Sequence, residues 1–338
     1  MTTPVPGSSV GWTEEIGRAR LHVVSGKGGT GKTTVAAALG LALARGGRRV
    51  LLAEVEGRQG IAQIFDTEPL PYAEKRIASA PDGGELHAVH VDAEAALLDF
   101  LDMFYNLGFA GRTLRRMGAI EFATTLAPGL RDVLFTGKLM ECVRRVDSHG
   151  RPAFDAVVLD APPTGRVVKF LDVTKALSDL AKTGPIRGHA DKVVKLVHSQ
   201  DTVVHLVTLL EEMPVRETLD AVAELDGADL RPGAVIVNRV RPPRLPAPAI
   251  ATAASGQVDA ARMRDELTAA GLELDEMTLD GLVTETMEHA VRMQAEHTAR
   301  EQLAEADLPA LELPELTGGV DTGALYELAD LLTEQGAR

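Results

Sequence analysis

The run Gly26-Lys27-Gly28-Gly29-Thr30-Gly31-Lys32-Thr33-Thr34 constrains this chain more than any other stretch of it. It satisfies G-x-x-x-x-G-K-[ST] and follows the apolar, β-branched stretch Leu21 to Ser25. It also opens a helical pattern, Lys32 to Arg45, that closes on Gly46-Gly47. Glycines let backbone N–H groups curl around phosphate oxygens, and a helix beginning there aims its positive dipole end at the same anion. The motif therefore predicts nucleotide binding along the whole run, from Gly26, Lys27, Gly28, Gly29, Thr30 and Gly31 to Lys32, Thr33 and Thr34. Lys32 should reach the β- and γ-phosphates, and the Thr33 hydroxyl should ligate Mg²⁺.

Short apolar runs continue to alternate with helical patterns: Val50 to Glu54, Leu86 to Val91, Ala156 to Asp160, Val203 to Leu209, Ala234 to Val237 and Ala310 to Leu313. Strands of this kind separated by helices predict a doubly wound α/β fold with a mostly parallel sheet covered on both faces. Residues 1–20 are polar and carry Gly and Ser, which predicts a flexible arm, and residues 21–338 form one P-loop domain. Between Ala93 and Val146 only helical patterns occur, so a helical subdomain is inserted at about 93–150, with 166–200 as a second candidate stretch. The Pro- and Ala-rich stretch from Arg241 to Gln257 reads as an exposed connector. Helical patterns at Leu279 to Ala306 and Gly323 to Gln335 read as layers packed on the sheet.

Composition removes several function classes. With 49 acidic against 35 basic residues the formal charge is −14, which repels phosphate backbones and anionic lipid, so no nucleic-acid partner is expected. Cys142 is the only cysteine, which leaves the chain without a disulfide or a CxxC metal site of its own. No run reaches the ~18 apolar residues that a membrane span needs, so no stable membrane insertion and a cytoplasmic location are expected. Five of the eight phenylalanines lie between Ala93 and Val146, which concentrates apolar bulk away from the phosphate loop. Two readings of it stand: a local helical core, or an adaptable binding surface.

A loop of this type needs a distant carboxylate at the end of a buried strand to hold Mg²⁺ through water, and Asp160 supplies it. Ala161-Pro162-Pro163-Thr164-Gly165 follows as a stiff turn suited to reporting a γ-phosphate. Lys27 is an extra lysine, early in the loop, with no need to contact its own nucleotide. It is free to cross a subunit interface as an arginine finger does.

These motifs, with Lys169-Phe170-Leu171, Glu217-Thr218 and Val237-Asn238 after them, resemble in order the arsenite-pump and guided-entry (tail-anchored protein targeting) ATPase family. Val55 to Gly60 and Ala127 to Asp132 are similar to the paired homologues of high-GC Gram-positive bacteria. The resemblance implies an ATP hydrolase that works as a homodimer, or as a heterodimer with a paralogous ATPase. It further implies that Lys27 acts in trans, that Asn238 reads adenine and that Pro314 covers the base. Asn238-Arg239-Val240-Arg241 lacks the guanine-reading Asn-Lys-x-Asp, so ATP with Mg²⁺ is the expected cofactor pair.

The chain departs from the family where an Asp-Pro positions the attacking water, because it reads Glu56-Gly57. Glu56 is the candidate base on a longer arm, so hydrolysis is expected to be slow or partner-dependent. It is also readable as a solvated acid, and Glu54, inside its strand, is a weaker alternative base. The family's zinc-bridging CxxC and its metalloid-binding thiols are absent. His87 and His90 sit at an odd spacing on a strand and read as ordinary strand residues. Two functions remain in view. One is a chaperone or targeting factor that holds a hydrophobic client segment in a groove containing Met103, Phe104, Phe109, Met117 and Phe122. The other is a regulatory subunit in a heterodimer, without a client.

Overall fold

The computed structural model describes residues 12–55, 57, 59–105, 130–172 and 185–338. Eight strands form one sheet: β1 (Leu21–Gly26), β2 (Arg49–Glu54), β3 (Lys75–Ser79), β4 (Glu85–His90), β5 (Ala156–Asp160), β6 (Thr202–Thr208), β7 (Pro232–Val240) and β8 (Ala310–Pro314). Their order is β3-β4-β2-β5-β1-β6-β7-β8. Every pairing is parallel except β3 with β4. Residues of β1, β5 and β6 are buried throughout, as expected of parallel strands covered on both faces.

Alternate residues divide the core into two layers. Val23, Leu51, Val157, Leu159 and Val204 face one way, against α5 (Leu130–Arg144), α6 (Thr164–Leu171), α7 (Pro185–Val197) and α8 (Glu212–Gly227). Val24, Leu52, Val158, Val207 and Ile236 face the other way, against α2 (Lys32–Ala44) and α12 (Thr322–Glu334). Helix α2 is buried from Val35 to Ala44 on every side, so it carries no polar stripe. Each fully buried leucine, such as Leu39 or Leu43, contributes ~1.5–3 kcal/mol through apolar area removed from water.

The sheet is the one the sequence predicts, with one addition. Edge strand β3 runs antiparallel on β4 and carries Lys75, Arg76 and Ser79 on a largely solvated ribbon. Charged residues on an edge discourage pairing with another chain. Two expectations need correction. The arm expected to be flexible up to residue 20 is packed from Trp12 onward. Helix α1 (Glu14–Gly17) is capped by Thr13, and Ile16 and Ala19 are buried against Val203. Trp12 stacks on His22 and His205 with ring centroids 6.0 and 5.1 Å away. The apparent connector at 241–257 contains α9 (Ala247–Ala254), because Pro246 and Pro248 sit at a helix start, where the missing N–H costs nothing.

Two further helices, α10 (Ala260–Ala269) and α11 (Glu276–Ala304), complete the C-terminal part. The last turns of α11, through Ala299 and Leu303, pack on Val235 and Val237 of β7, and Leu279, Ala290 and Met293 are buried nearer its start. Of the expected helical insertion, α4 (Ala93–Tyr105) and α5 are described, and they pack on each other. Met103 and Phe104 lie on α4 where no side chains are described, and Phe109, Met117 and Phe122 lie outside the described residues. No helix among the described residues is long and apolar enough to cross a membrane.

Candidate functional site

The loop 26–31 joins the carboxyl end of β1 to the start of α2, in the middle of the sheet. Gly26 has φ +156°, and any Cβ there would collide with the Val207 carbonyl oxygen on β6. Gly31 caps α2 with φ +86°, and a Cβ there would strike the Asn238 amide. Gly26 is therefore required by the close approach of the β6 backbone, and Gly31 by its left-handed φ with the Asn238 side chain against it. No side chain caps α2, so its first N–H groups face the loop's concavity and keep the dipole end open to an anion.

The loop is braced from inside and from the sheet. Thr30 is buried, its hydroxyl donates to the Lys27 carbonyl at 2.9 Å, and Lys32 Nζ donates to the same carbonyl at 3.3 Å. Asn238, buried on β7, donates from Nδ2 to the Thr30 carbonyl at 2.9 Å, and its Oδ1 accepts from the Arg239 N–H at 3.0 Å. Pro314 ends β8 opposite Val240, so the two residues expected around the base lie on neighbouring strand ends. Thr33 Oγ1, in the first turn of α2, donates to Asp160 Oδ2 at 2.7 Å. Beyond Asp160, the turn is pinned where Ser25 Oγ donates to the Pro162 carbonyl at 2.7 Å, and α6 begins at Thr164.

A hydroxyl and a carboxylate are hard oxygen donors of the type Mg²⁺ takes. Among the described residues no three His, Cys, Asp or Glu side chains gather tightly enough to hold a metal alone. A metal at Thr33 and Asp160 must therefore complete its shell with phosphate oxygens and water, which is how Mg²⁺ binds beside a nucleotide.

Comparison with known proteins agrees with this geometry. A family model described as anion-transporting ATPase matches residues 19–199, more than half of the chain. The chain belongs to that family. Its similarity to the ATPase BagA of Mycobacterium tuberculosis is 57% identity over 337 residues, covering 100% of this chain and 99% of that one. It is 26% identical over 252 residues to the ATPase GET3 of Candida glabrata, covering 64% of this chain and 71% of the relative. A protein named putative arsenical pump-driving ATPase 2, from Aquifex aeolicus, is 24% identical over 254 residues, covering 66% and 81%. This family member is accordingly an ATP hydrolase.

In this ATPase the structure brings together Lys32, Thr33, Asp160 and Asn238, but it sends Lys27 elsewhere. Lys27 Nζ leaves its own loop for Glu217 Oε1 on α8, 2.7 Å away. Glu56 lies outside the described residues. Past it in sequence, Gly57 has φ +70° and Gln59 φ +54°, in a turn that leads into α3 (Gly60–Ile64). Gln59 holds that turn against the Leu70 backbone, with Oε1 accepting from the Leu70 N–H at 2.7 Å and Nε2 donating to its carbonyl at 3.2 Å. His87 and His90 have different partners: His87 meets Glu85 at 3.0 Å and the Phe154 ring edge-on, while His90 faces Glu54. The ion pair at Glu217 and the burial of Glu54 were not foreseen from sequence. The only signals were the family's Glu-Thr pair and the position of Glu54 at a strand end.

Proposed function

We propose that this ATPase is a dimeric switch driven by Mg²⁺-ATP, in which two P-loops face each other and each Lys27 serves the nucleotide of the opposite subunit. The observation that carries this reading is the direction of Lys27. The loop's anion cradle is complete with Lys32 and the start of α2, yet Lys27 leaves it to pair with Glu217 at its rim, where both side chains are a third exposed. A cation placed at the rim is available to a second nucleotide approaching from outside. Thr33 and Asp160 hold the metal, Asp160 through water, and Asn238 reads the base once nucleotide displaces it from the Thr30 carbonyl.

The client in this proposal is a hydrophobic segment of another protein, taken up by the apolar residues between Ala93 and Val146. Support for it comes from the concentration of phenylalanine there and from the family's guided-entry members. A helical segment laid in an apolar groove is the recognition mode such residues serve. Glu56 is the residue proposed to orient the attacking water, with slow or partner-dependent turnover as the consequence.

The test is sedimentation of the purified protein with Mg²⁺-ATP, using wild type, Lys27→Ala and Asp160→Asn. The proposal expects an ATP-dependent dimer for wild type, with turnover of Lys27→Ala lowered by ~10³ or more. A monomer with full turnover would remove the switch. Tagged Asp160→Asn recovered from its own cells with ATP should carry proteins with apolar terminal helices. A second P-loop ATPase in equal amount, without such proteins, would replace the client with a paralogous partner.

A further inference from the structure

Glu54 is the last residue of β2, and its carboxylate is only 3% exposed. Its Oε1 accepts from the Gly60 N–H at 2.7 Å, at the start of α3. Its Oε2 is buried without a hydrogen-bond partner among the described residues, and so is His90 Nδ1, which lies 3.7 Å away, within ion-pair reach but beyond hydrogen-bond distance. A buried carboxylate oxygen left without a partner costs free energy on the scale of a lost charged hydrogen bond. The protein therefore keeps Glu54 ready for something that arrives.

The position of the carboxylate as a whole narrows what that could be. In the parallel register Glu54 is opposite Asp160 on β5 and opposite His90 on β4, so the three side chains stand in one row on the same face of the strand ends. Thr33 Oγ1 is bonded to Asp160 from above that row. A point one bond out from the Gly60 Cα, where a side chain would begin, is 3.2 Å from the Thr33 methyl, 3.4 Å from Glu54 Oε1 and 3.7 Å from Thr33 Oγ1. The carboxylate and the hydroxyl therefore border the same gap, which glycine keeps open. Two carboxylates at adjacent register repel each other, and a divalent cation beside them relieves the repulsion.

We propose that Glu54 is a positioning residue of the magnesium site: its carboxylate accepts a hydrogen bond from water of the ion's hydration shell, while Oε1 also holds the N-terminus of α3. One buried carboxylate thus ties the metal to Gly60, where the turn after β2 enters α3. The proposal rests on the Mg²⁺-nucleotide reading above and adds to it a residue outside the loop motif. Its part is to orient water and backbone, so its loss should be read in metal affinity and in the order of that turn.

The experiment measures Mn²⁺ binding to the protein–ADP complex by electron paramagnetic resonance, for wild type, Glu54→Gln, Glu54→Asp and His90→Asn. Hydrogen exchange over residues 55–64 is followed with and without the metal. Glu54→Gln keeps an oxygen for the Gly60 N–H, and Mn²⁺ affinity should fall about tenfold, as for loss of an outer-shell partner. ADP affinity in a chelator should stay within about twofold of wild type, the scatter of a group that touches no nucleotide atom. Wild type should gain exchange protection over 55–64 on metal addition, and Glu54→Gln should not. Glu54→Asp keeps the charge but shortens the reach, so it should weaken Mn²⁺ even if the glutamine variant fails to fold. Mn²⁺ affinity unchanged in both Glu54 variants overturns the proposal. So does an equal loss in His90→Asn, which would make Glu54 one half of a structural pair. Wild type that binds ADP without Mn²⁺ would remove the magnesium reading itself, and the proposal with it.

Discussion

Glu217→Gln removes the anion that holds Lys27 Nζ at 2.7 Å and leaves a side chain of the same shape on α8. The two side chains are 34% and 36% exposed, so water and salt screen the pair heavily. Pairs of this kind contribute ~0.2–1 kcal/mol each. If Lys27 must leave Glu217 to serve the opposite subunit, each dimer breaks the contact twice, and the cost to association is ~0.4–2 kcal/mol. Glu217→Gln is therefore expected to tighten the Mg²⁺-ATP dimer by about 2- to 30-fold. The gain should shrink as salt rises, because the contact it removes is itself screened. Sedimentation velocity across a concentration series, at low and at moderate salt, measures it directly. The dissociation constant without nucleotide should not move, since Lys27 has no opposite phosphate to reach there. A weaker Mg²⁺-ATP dimer would refute the reasoning, because Glu217 would then be supporting Lys27 across the interface instead of restraining it.

Two other outcomes follow from the described geometry. His205 accepts the Ala234 N–H at Nδ1, His22 Nδ1 lies 3.1 Å from His205 Nε2, and His22 Nε2 meets the Ala19 carbonyl, an arrangement that requires both rings neutral. Burial pushes the His22 pKa down to about 4 and that of His205 well below its usual value, so the unfolded chain binds more protons between pH 6.5 and 4. Stability is then fully present above pH 6.5 and is lost as pH falls through that window, by about 3 kcal/mol for His22. Fluorescence of Trp12, the only tryptophan, should report the loss, and a flat stability profile from pH 7 to 4.5 would contradict it. Separately, Gly31→Ala places a Cβ against Asn238 at φ +86°, so the melting temperature should fall by a few degrees and ATP affinity at least about tenfold, both measured by calorimetry. Unchanged ATP affinity would show that the loop relaxes freely.

The sheet was legible because its strands are short, apolar and separated by helices, and parallel strands buried on both faces leave that pattern in any sequence. Strand β3 was not, since Lys75, Arg76 and Ser79 leave no apolar run, and an edge position asks for none. Helix α9 was hidden by its prolines, which punctuate loops and helix starts alike. The packed arm was hidden because Trp12 and Ile16 are isolated apolar residues in a polar stretch, and their partners His22, Val203 and His205 come from two strands. At the site, spelling alone placed Lys32, Thr33 and Asp160, because loop and strand end have fixed positions in this fold. Asn238 was expected to read a base, and the structure adds a present task, bracing Thr30 from β7. Glu217 and Glu54 depend on contacts between distant elements, and no local pattern encodes those.

Helix α11 has 29 residues, so at 1.5 Å per residue it is roughly 43 Å long, and its C-terminal turns are rooted in the core on β7. It also packs on α8, the helix that presents Glu217 to Lys27. With α9 and α10 packed along the rest of it, the helix moves as one arm with them, and a tilt of about 5° at the root sweeps its far end through about 4 Å. A sub-ångström shift of α8 at Glu217 thus has, in this chain, a pointer long enough to make it visible at a distance.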